Sequence, residues 1–199
     1  MVFLVINKKC FEHIYTEDPE IDMIEFKTRE EAENYVKYSE RKGADTNDII
    51  SVFTDGSCSR NGSINARAGI GVYFGEGDKR NISKRINGKQ TNNTAELLAV
   101  MEVFNVLKTE IEQGEKIIIY TDSDYVMKCC TSYGDKCAKI NWKKKGKEIP
   151  NVELVKNLYS LYKQFDNVKL EWVRAHTNKK DKLSLGNDCA DRLANMSLE

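Results

Sequence analysis

An α/β domain built on a mixed β-sheet covered by helices is predicted by three observations in the 199-residue sequence. Three β-patterned runs, 49–54, 68–75 and 81–86, follow one another before any long helical pattern. From Thr91 onward, helix-patterned and strand-patterned segments alternate. The later run Lys116–Thr121 is continuously apolar, as in a strand buried on both faces. In front of this domain, residues 1–42 read as a small α+β appendage.

In the appendage, Phe3–Asn7, Glu12–Thr16 and Met23–Lys27 have strand character and lead into a helix. Thr28 is placed to cap that helix, with Glu31 three residues on completing a capping box. The helix is expected to run through Tyr35 and Tyr38. The polar stretch at 43–49 interrupts the pattern and reads as a linker. Ile49–Thr54 then forms a strand that ends at Asp55-Gly56-Ser57. Ala68–Gly75 is a glycine-rich strand, suited to close approach by another backbone, and Asn81–Ile86 is its antiparallel partner. Thr91-Asn92-Asn93 starts a helix whose periodicity spans 95–108. After Lys116–Thr121 come a helical stretch, a lysine cluster, a helix over about Asn151–Phe165, a strand at Lys169–Arg174 and a short helix at Asn187–Ser197.

Apolar residues make up 40% and charged residues 31% of the chain, which excludes disorder as the dominant state. The longest apolar runs fall far short of the ~20 residues of a membrane-spanning helix, and no secretory signal opens the sequence. The six cysteines show neither a CxxC pair nor zinc spacing, so a reduced intracellular protein is expected. The net charge of zero hides an asymmetry: residues 1–50 carry −5 and the remainder +5. Between Lys136 and Lys147 lie six lysines, Trp142 and no acid. Such a run is ordinarily a solvated face; an aromatic within it also suits a polyanion-binding element.

The acidic residues carry the chemistry. Asp55 and Asp122 each follow an apolar strand, the place where ligands bind in open α/β sheets. Asp before Gly is equally a turn residue, and Asp122 or Ser123 is equally a helix cap. Glu96 begins the apolar stripe formed by Val100, Val103, Phe104 and Leu107. A charge there is costly unless it is paired or binds a metal, although it also complements the helix dipole. Asp188 and Asp191 share one helical face, with Arg192 available to pair Asp188, and His176 lies in the polar loop before them. Carboxylates from separate elements at one sheet end make a hard-oxygen site suited to Mg²⁺ or Mn²⁺. Two such ions about 4 Å apart are a standard device for phosphodiester cleavage.

Thr54-Asp55-Gly56-Ser57-Cys58, Gln90-Thr91-Asn92-Asn93-Thr94-Ala95-Glu96-Leu97, Tyr120-Thr121-Asp122-Ser123 and Gly186-Asn187-Asp188-Cys189-Ala190-Asp191-Arg192-Leu193-Ala194 together resemble ribonuclease H, type 1. The resemblance implies the ribonuclease H-like fold, a five-stranded mixed sheet in the order 3-2-1-4-5 flanked by helices, with the catalytic domain at 50–199. It further implies an endonuclease hydrolysing the RNA strand of RNA–DNA hybrids to 5′-phosphate and 3′-hydroxyl ends, and two Mg²⁺ ions (or Mn²⁺) as cofactor. By it, Asp55, Glu96, Asp122 and Asp191 are metal-binding carboxylates, Asp188 is an auxiliary acid and His176 a mobile-loop histidine acting in proton transfer or product release. Cys58, Arg60, Asn61, Gln90, Asn92 and Asn93 line the minor groove, where RNA 2′-hydroxyls are read. By the same resemblance, Lys89, Thr91 and Asn151 fall near the family's DNA-phosphate pocket, Tyr125, Tyr133 and Trp142 are candidates for the DNA-strand channel, and Lys143, Lys144 and Lys145 are similar to its basic protrusion.

Two features depart from the family pattern: the segment before Trp142 is longer, and the segment from His176 to Asp191 reads as a long lysine-rich loop. Residues 1–42 resemble the hybrid-binding (viroplasmin-like) module that precedes many such enzymes, here in short, acidic and degenerate form; a protein-contact cap is the alternative. The chain is expected to be a monomer. Two rival readings remain at the level of sequence: another nuclease of this fold, such as a resolvase or exonuclease, and a hybrid-binding protein without catalysis.

Overall fold

The computed structural model describes residues 3–6, 9–12, 24–33, 49–177 and 179–199. The chain divides into two compact units, Met1–Asp48 and Ile49–Glu199.

In the first unit, β1 (Phe3–Ile6) is the centre of a three-stranded antiparallel sheet, between β2 (Lys9–Glu12) and β3 (Ile24–Phe26). β2 reaches the edge of its described segment at Glu12, and the rest of the strand expected at Glu12–Thr16 lies outside the described residues. β2 pairs from Ile6↔Lys9 to Phe3↔Glu12 as the near partner of β1. A helical segment at 29–33 (α1) follows, closed by the expected capping box: the Glu31 amide donates to Thr28 Oγ1 at 3.2 Å and the Thr28 amide to Glu31 Oε2 at 3.1 Å. Tyr35, Tyr38 and most of the expected linker lie outside the described residues.

The second unit contains the strands β4 (Ile50–Ser59), β5 (Arg67–Tyr73), β6 (Ile82–Arg85), β7 (Ile117–Thr121) and β10 (Val168–Trp172). Across the sheet they run β6-β5-β4-β7-β10, which is the order 3-2-1-4-5 counted among the five strands of this sheet. β4 pairs antiparallel with β5 and parallel with β7, and β7 pairs parallel with β10. The helices are α2 (Asn92–Val106), α3 (Lys108–Glu112), α4 (Asp124–Cys130), α5 (Ser132–Lys139), α6 (Val152–Gln164) and α7 (Lys182–Met196). Between α5 and α6 stands a two-stranded ribbon, β8 (Lys143–Lys144) and β9 (Lys147–Glu148). No helix among the described residues is long and apolar enough to cross a membrane.

The predicted stripe of α2 packs as expected: Val100, Val103, Phe104 and Leu107 are all buried in the main core with Val52, Ile117 and Ile119. Two boundaries differ from expectation. β4 continues through Asp55-Gly56-Ser57 to Ser59, because β5 supplies a paired partner for each residue from Asp55↔Gly71 to Ser59↔Arg67. α7 begins at Lys182, capped by the Asp181 side chain on the Ser184 amide at 3.0 Å, so the segment after His176 is five residues shorter as a loop than the reading of a helix from Asn187 implied.

Candidate metal centre

Asp55 sits inside β4, and its neighbour Gly56 explains how the site is drawn together. A Cβ at Gly56 would stand 2.6 Å from the Ala95 carbonyl carbon and 2.8 Å from Glu96 Cα. Helix α2 thus lies directly on the strand, which side chains larger than hydrogen forbid. The start of α2 is fixed by a capping box in which Thr91 Oγ1 accepts from the Thr94 amide at 3.2 Å and Thr94 Oγ1 from the Thr91 amide at 3.1 Å. Glu96 is in the first turns that follow, aimed at the sheet. Asp122 comes one residue after β7, just before Ser123 caps α4.

These placements bring ligand atoms of Asp55, Glu96 and Asp122 within 4.8 Å of one another. Asp55 and Glu96 are buried, at 7% and 5% exposure. Burial and the facing charges of Asp122 and Asp191 push the Asp55 carboxyl up to about 7, helped by a hydrogen bond shared with Asp191. Burial, then Asp55 and Asp122, hold Glu96 well above the usual carboxylate range. Glu96 Oε1 accepts from Asn92 Nδ2 at 3.4 Å, whereas Oε2 is buried without a hydrogen-bond partner. Three acids crowded together, two buried and one with an orphaned oxygen, fit a hard divalent cation, which would neutralise their repulsion and occupy that oxygen. Asp191, on α7, lies outside the three-acid cluster but reaches Asp55 and accepts from Asn195 Nδ2 at 3.0 Å.

The remaining expected site residues fall into groups. Lys89 Nζ donates to Asn151 Oδ1 at 3.0 Å, and Asn151 Nδ2 to the Tyr125 hydroxyl at 3.4 Å, so these three side chains form one chain of contacts. Asn61 Oδ1 accepts from the Asn92 amide at 3.4 Å. Cys58 is half-buried, while Arg60 and Asn93 are exposed. Asp188 and His176 are exposed, and His176 has a left-handed backbone, φ 48°. Lys143, Lys144 and Lys145 are exposed on the β8–β9 ribbon, whose turn uses left-handed Lys145 and Gly146.

Two side chains, Trp142 and Gln90, are engaged otherwise than the sequence suggests. Trp142 is only 9% exposed and packs edge-on against Tyr159, 5.4 Å between ring centres, so the stacking surface expected in the lysine cluster is inside the core. Tyr133 is half-buried against the same core. The Gln90 amide is spent on backbone: it accepts from the Ala68 amide at 2.7 Å and donates to the Ile86 and Gly88 carbonyls at 3.0 Å each.

Sequence reasoning left out two residues that touch Asp122. Asn187, 1% exposed, donates from Nδ2 to Asp122 Oδ2 at 2.9 Å. Trp172 donates from Nε1 to the Asp122 carbonyl at 3.0 Å. The signal for Asn187 was its place one turn before Asp191; nothing in the strand pattern marked Trp172.

Residues 47–199 match the family model for RNase H. Ribonuclease H1 of Homo sapiens is 35% identical over 148 residues, covering 74% of this chain and 49% of the relative. Ribonuclease H of Orientia tsutsugamushi is 36% identical over 154 residues, 75% of this chain and 82% of the relative. The chain spans about half to three-fifths of the human, mimivirus and mouse relatives that it matches. Among solved structures, LC9-RNase H1, described as a type 1 RNase H with the type 2 active-site motif, superimposes with TM-score 0.55 at 25% identity, covering 75% of this chain and 72% of that one. A foamy viral protease-reverse transcriptase in complex with dsDNA shares the fold, with TM-score 0.58 at 20% identity over 74% of this chain and 92% of that one. With the sheet order, the acid cluster and 153 consecutive residues in agreement, this chain belongs to the RNase H family.

Proposed function

We propose that the chain is an endonuclease that hydrolyses the RNA strand of RNA–DNA hybrids with the help of divalent ions, Mg²⁺ in the first place and Mn²⁺ as a substitute. The observation that carries this reading is the cluster of Asp55, Glu96 and Asp122, with its orphaned Glu96 oxygen, in a chain of this family. A foamy viral protease-reverse transcriptase, 19% of whose chain shares this fold, has been solved in complex with an RNA/DNA hybrid, which supports the substrate class.

In this reading Asp55, Glu96 and Asp122, together with Asp191, would hold two ions. When bound, such ions supply Lewis-acid stabilisation of in-line displacement at phosphorus and ease the ionisation of water, consistent with 5′-phosphate and 3′-hydroxyl products. His176, exposed before α7, would act in proton transfer or product release, and the exposed Asp188 would be an auxiliary acid. Asn61, Asn92 and Asn93 read the 2′-hydroxyls of the RNA strand. Lys89, held by Asn151, takes a phosphate of the DNA strand, and the lysine ribbon grips the duplex by charge. The acidic first unit is proposed as a protein-contact module, since its charge opposes phosphate binding.

The test is cleavage of labelled RNA–DNA hybrid, RNA duplex and DNA duplex, each with and without Mg²⁺. Internal cuts in the RNA of the hybrid alone, dependent on the ion, are expected. Cutting of the DNA duplex at a similar rate would instead indicate a resolvase-like or exonuclease-like member of the fold.

A further inference from the structure

Trp172 is 54% exposed at the end of β10, an unusual degree of exposure for an indole beside a buried acid cluster. Its ring nitrogen does not face water: Nε1 donates to the Asp122 main-chain oxygen at 3.0 Å. The location gives that bond meaning. In the parallel pairing of β10 with β7, Trp172 stands opposite Thr121, and the Val173 amide donates to the Thr121 carbonyl at 2.9 Å. The ladder of the two strands ends there. One residue later the chain must carry the Asp122 carboxylate into the cluster and then turn at once, with Ser123 capping α4 through the Val126 amide at 3.3 Å. The Trp172 side chain extends the inter-strand tie by this one residue. Asn187 meanwhile holds the other end of Asp122, at Oδ2. The backbone of Asp122 is thus tied to β10 and its carboxylate to α7.

We propose that Trp172 is a positioning residue for the divalent-ion site: its indole N–H fixes the main chain of Asp122, and through it the direction in which the carboxylate meets Asp55 and Glu96. This rests on the reading of the cluster as an ion site. A carboxylate that must be steered into a crowd of like charges loses affinity for its ion when its backbone is free to turn away, because ordering is then part of the binding step. The same geometry makes Trp172 a built-in reporter, because the only other tryptophan, Trp142, is buried.

The test uses the full chain carrying Trp172→Phe, which keeps an aromatic ring and removes the N–H. The Mg²⁺ concentration that half-saturates thermal stabilisation should rise about three- to tenfold, the worth of one neutral hydrogen bond. The melting temperature without ions should stay close to that of the wild type, and cleavage at saturating Mg²⁺ should largely recover. A second arm uses Trp142→Phe, in which Trp172 is the sole indole. Its emission should be quenched saturably by Mn²⁺, reversed by excess Mg²⁺, and insensitive to Mn²⁺ once Asp122→Asn is added. An unshifted Mg²⁺ midpoint in Trp172→Phe, or a lowered ion-free melting temperature as its sole effect, overturns the positioning role. Absence of saturable quenching also overturns it. A wild-type chain that gains no stability from divalent ions refutes the ion site itself, and one that gains it without cleaving hybrid refutes only the substrate reading.

Discussion

Asn187 Nδ2 lies 2.9 Å from Asp122 Oδ2 and ties the last helix to the end of β7 across the acid cluster. Because Asn187 is neutral, it satisfies the carboxylate without adding charge where Asp55, Glu96 and Asp122 already repel one another. Replacing it by Asp brings a further carboxylate against Asp122. The Asn187→Asp chain should melt lower than the wild type in EDTA at neutral pH, by an amount of order 1–3 kcal/mol. Saturating Mg²⁺ should recover most of the loss. Equal melting of the two chains in EDTA would show that Asp122 is not electrostatically coupled to this position.

Asp55→Asn and Asp122→Asn should each abolish cleavage while circular dichroism and hybrid binding are largely kept, since an amide oxygen does not replace a lost negative ligand. Glu96→Gln should also silence the enzyme, yet raise the ion-free melting temperature, because it removes a buried charge. Near-normal turnover of either Asp variant, or a lower ion-free melting temperature for Glu96→Gln, contradicts the arrangement.

The pH dependence of stability follows from Asp55. Its carboxyl is raised from an ordinary 3.8 to about 7 in the folded chain, so the folded state holds a proton that the unfolded state has released. Stability is then fullest below about pH 4 as far as this group is concerned, and is lost as pH rises to about 7, by a few kcal/mol at most. Glu96, raised in the same direction, adds to the trend. Urea melts in EDTA should show the unfolding midpoint falling across that window. Saturating Mg²⁺ should flatten the fall, and Asp55→Asn should reduce it; a midpoint that rises across the window would contradict the sign.

Much of this site is legible in the sequence, and the exceptions have physical causes. Glu96 stands out because its position in the α2 stripe puts a charge where the core requires an apolar side chain. Asp55 reads as the end of a strand because Asp-Gly-Ser is turn chemistry; only pairing with β5 keeps it extended. Gly56, which looks like a turn glycine, is there for the backbone of α2. The first turns of α7, Lys182-Leu183-Ser184-Leu185-Gly186, carry no helical stripe, and both of their leucines are exposed, so the sequence does not mark the start of the helix. The lysines around Trp142 suggest a stacking surface, but burial belongs to the single residue, and this ring packs into the core with Tyr159.

Alanine at Lys143, Lys144 and Lys145 removes three exposed charges from the β8–β9 ribbon. If each neutralises one phosphate, the slope of log affinity against log salt should flatten by up to about 0.9 per contact. Hybrid affinity should fall most at low salt, and the gap from wild type should close as salt rises. The rate at saturating substrate and the preference for hybrid over RNA duplex should persist. An unchanged slope would mark the ribbon as a solvated face.

The close seating of α7 on the sheet has a consequence for how activity arises during folding. A Cβ at Gly71 would stand 2.6 Å from the Ala194 nitrogen, so β5 and α7 fit only as finished surfaces. The helix bears Asn187 and Asp191, whereas Asp55 lies on the first strand of its unit. A chain that has formed its sheet and α2 but not yet docked α7 gathers three acids without the amide that steadies Asp122 or the fourth carboxylate. β5 and α7 lie far apart in sequence, so bringing them together carries a large loop-closure cost. On the proposed function, a chain in which α7 is not seated lacks both the Asn187 tie to Asp122 and the Asp191 carboxylate, so cutting would require the finished fold.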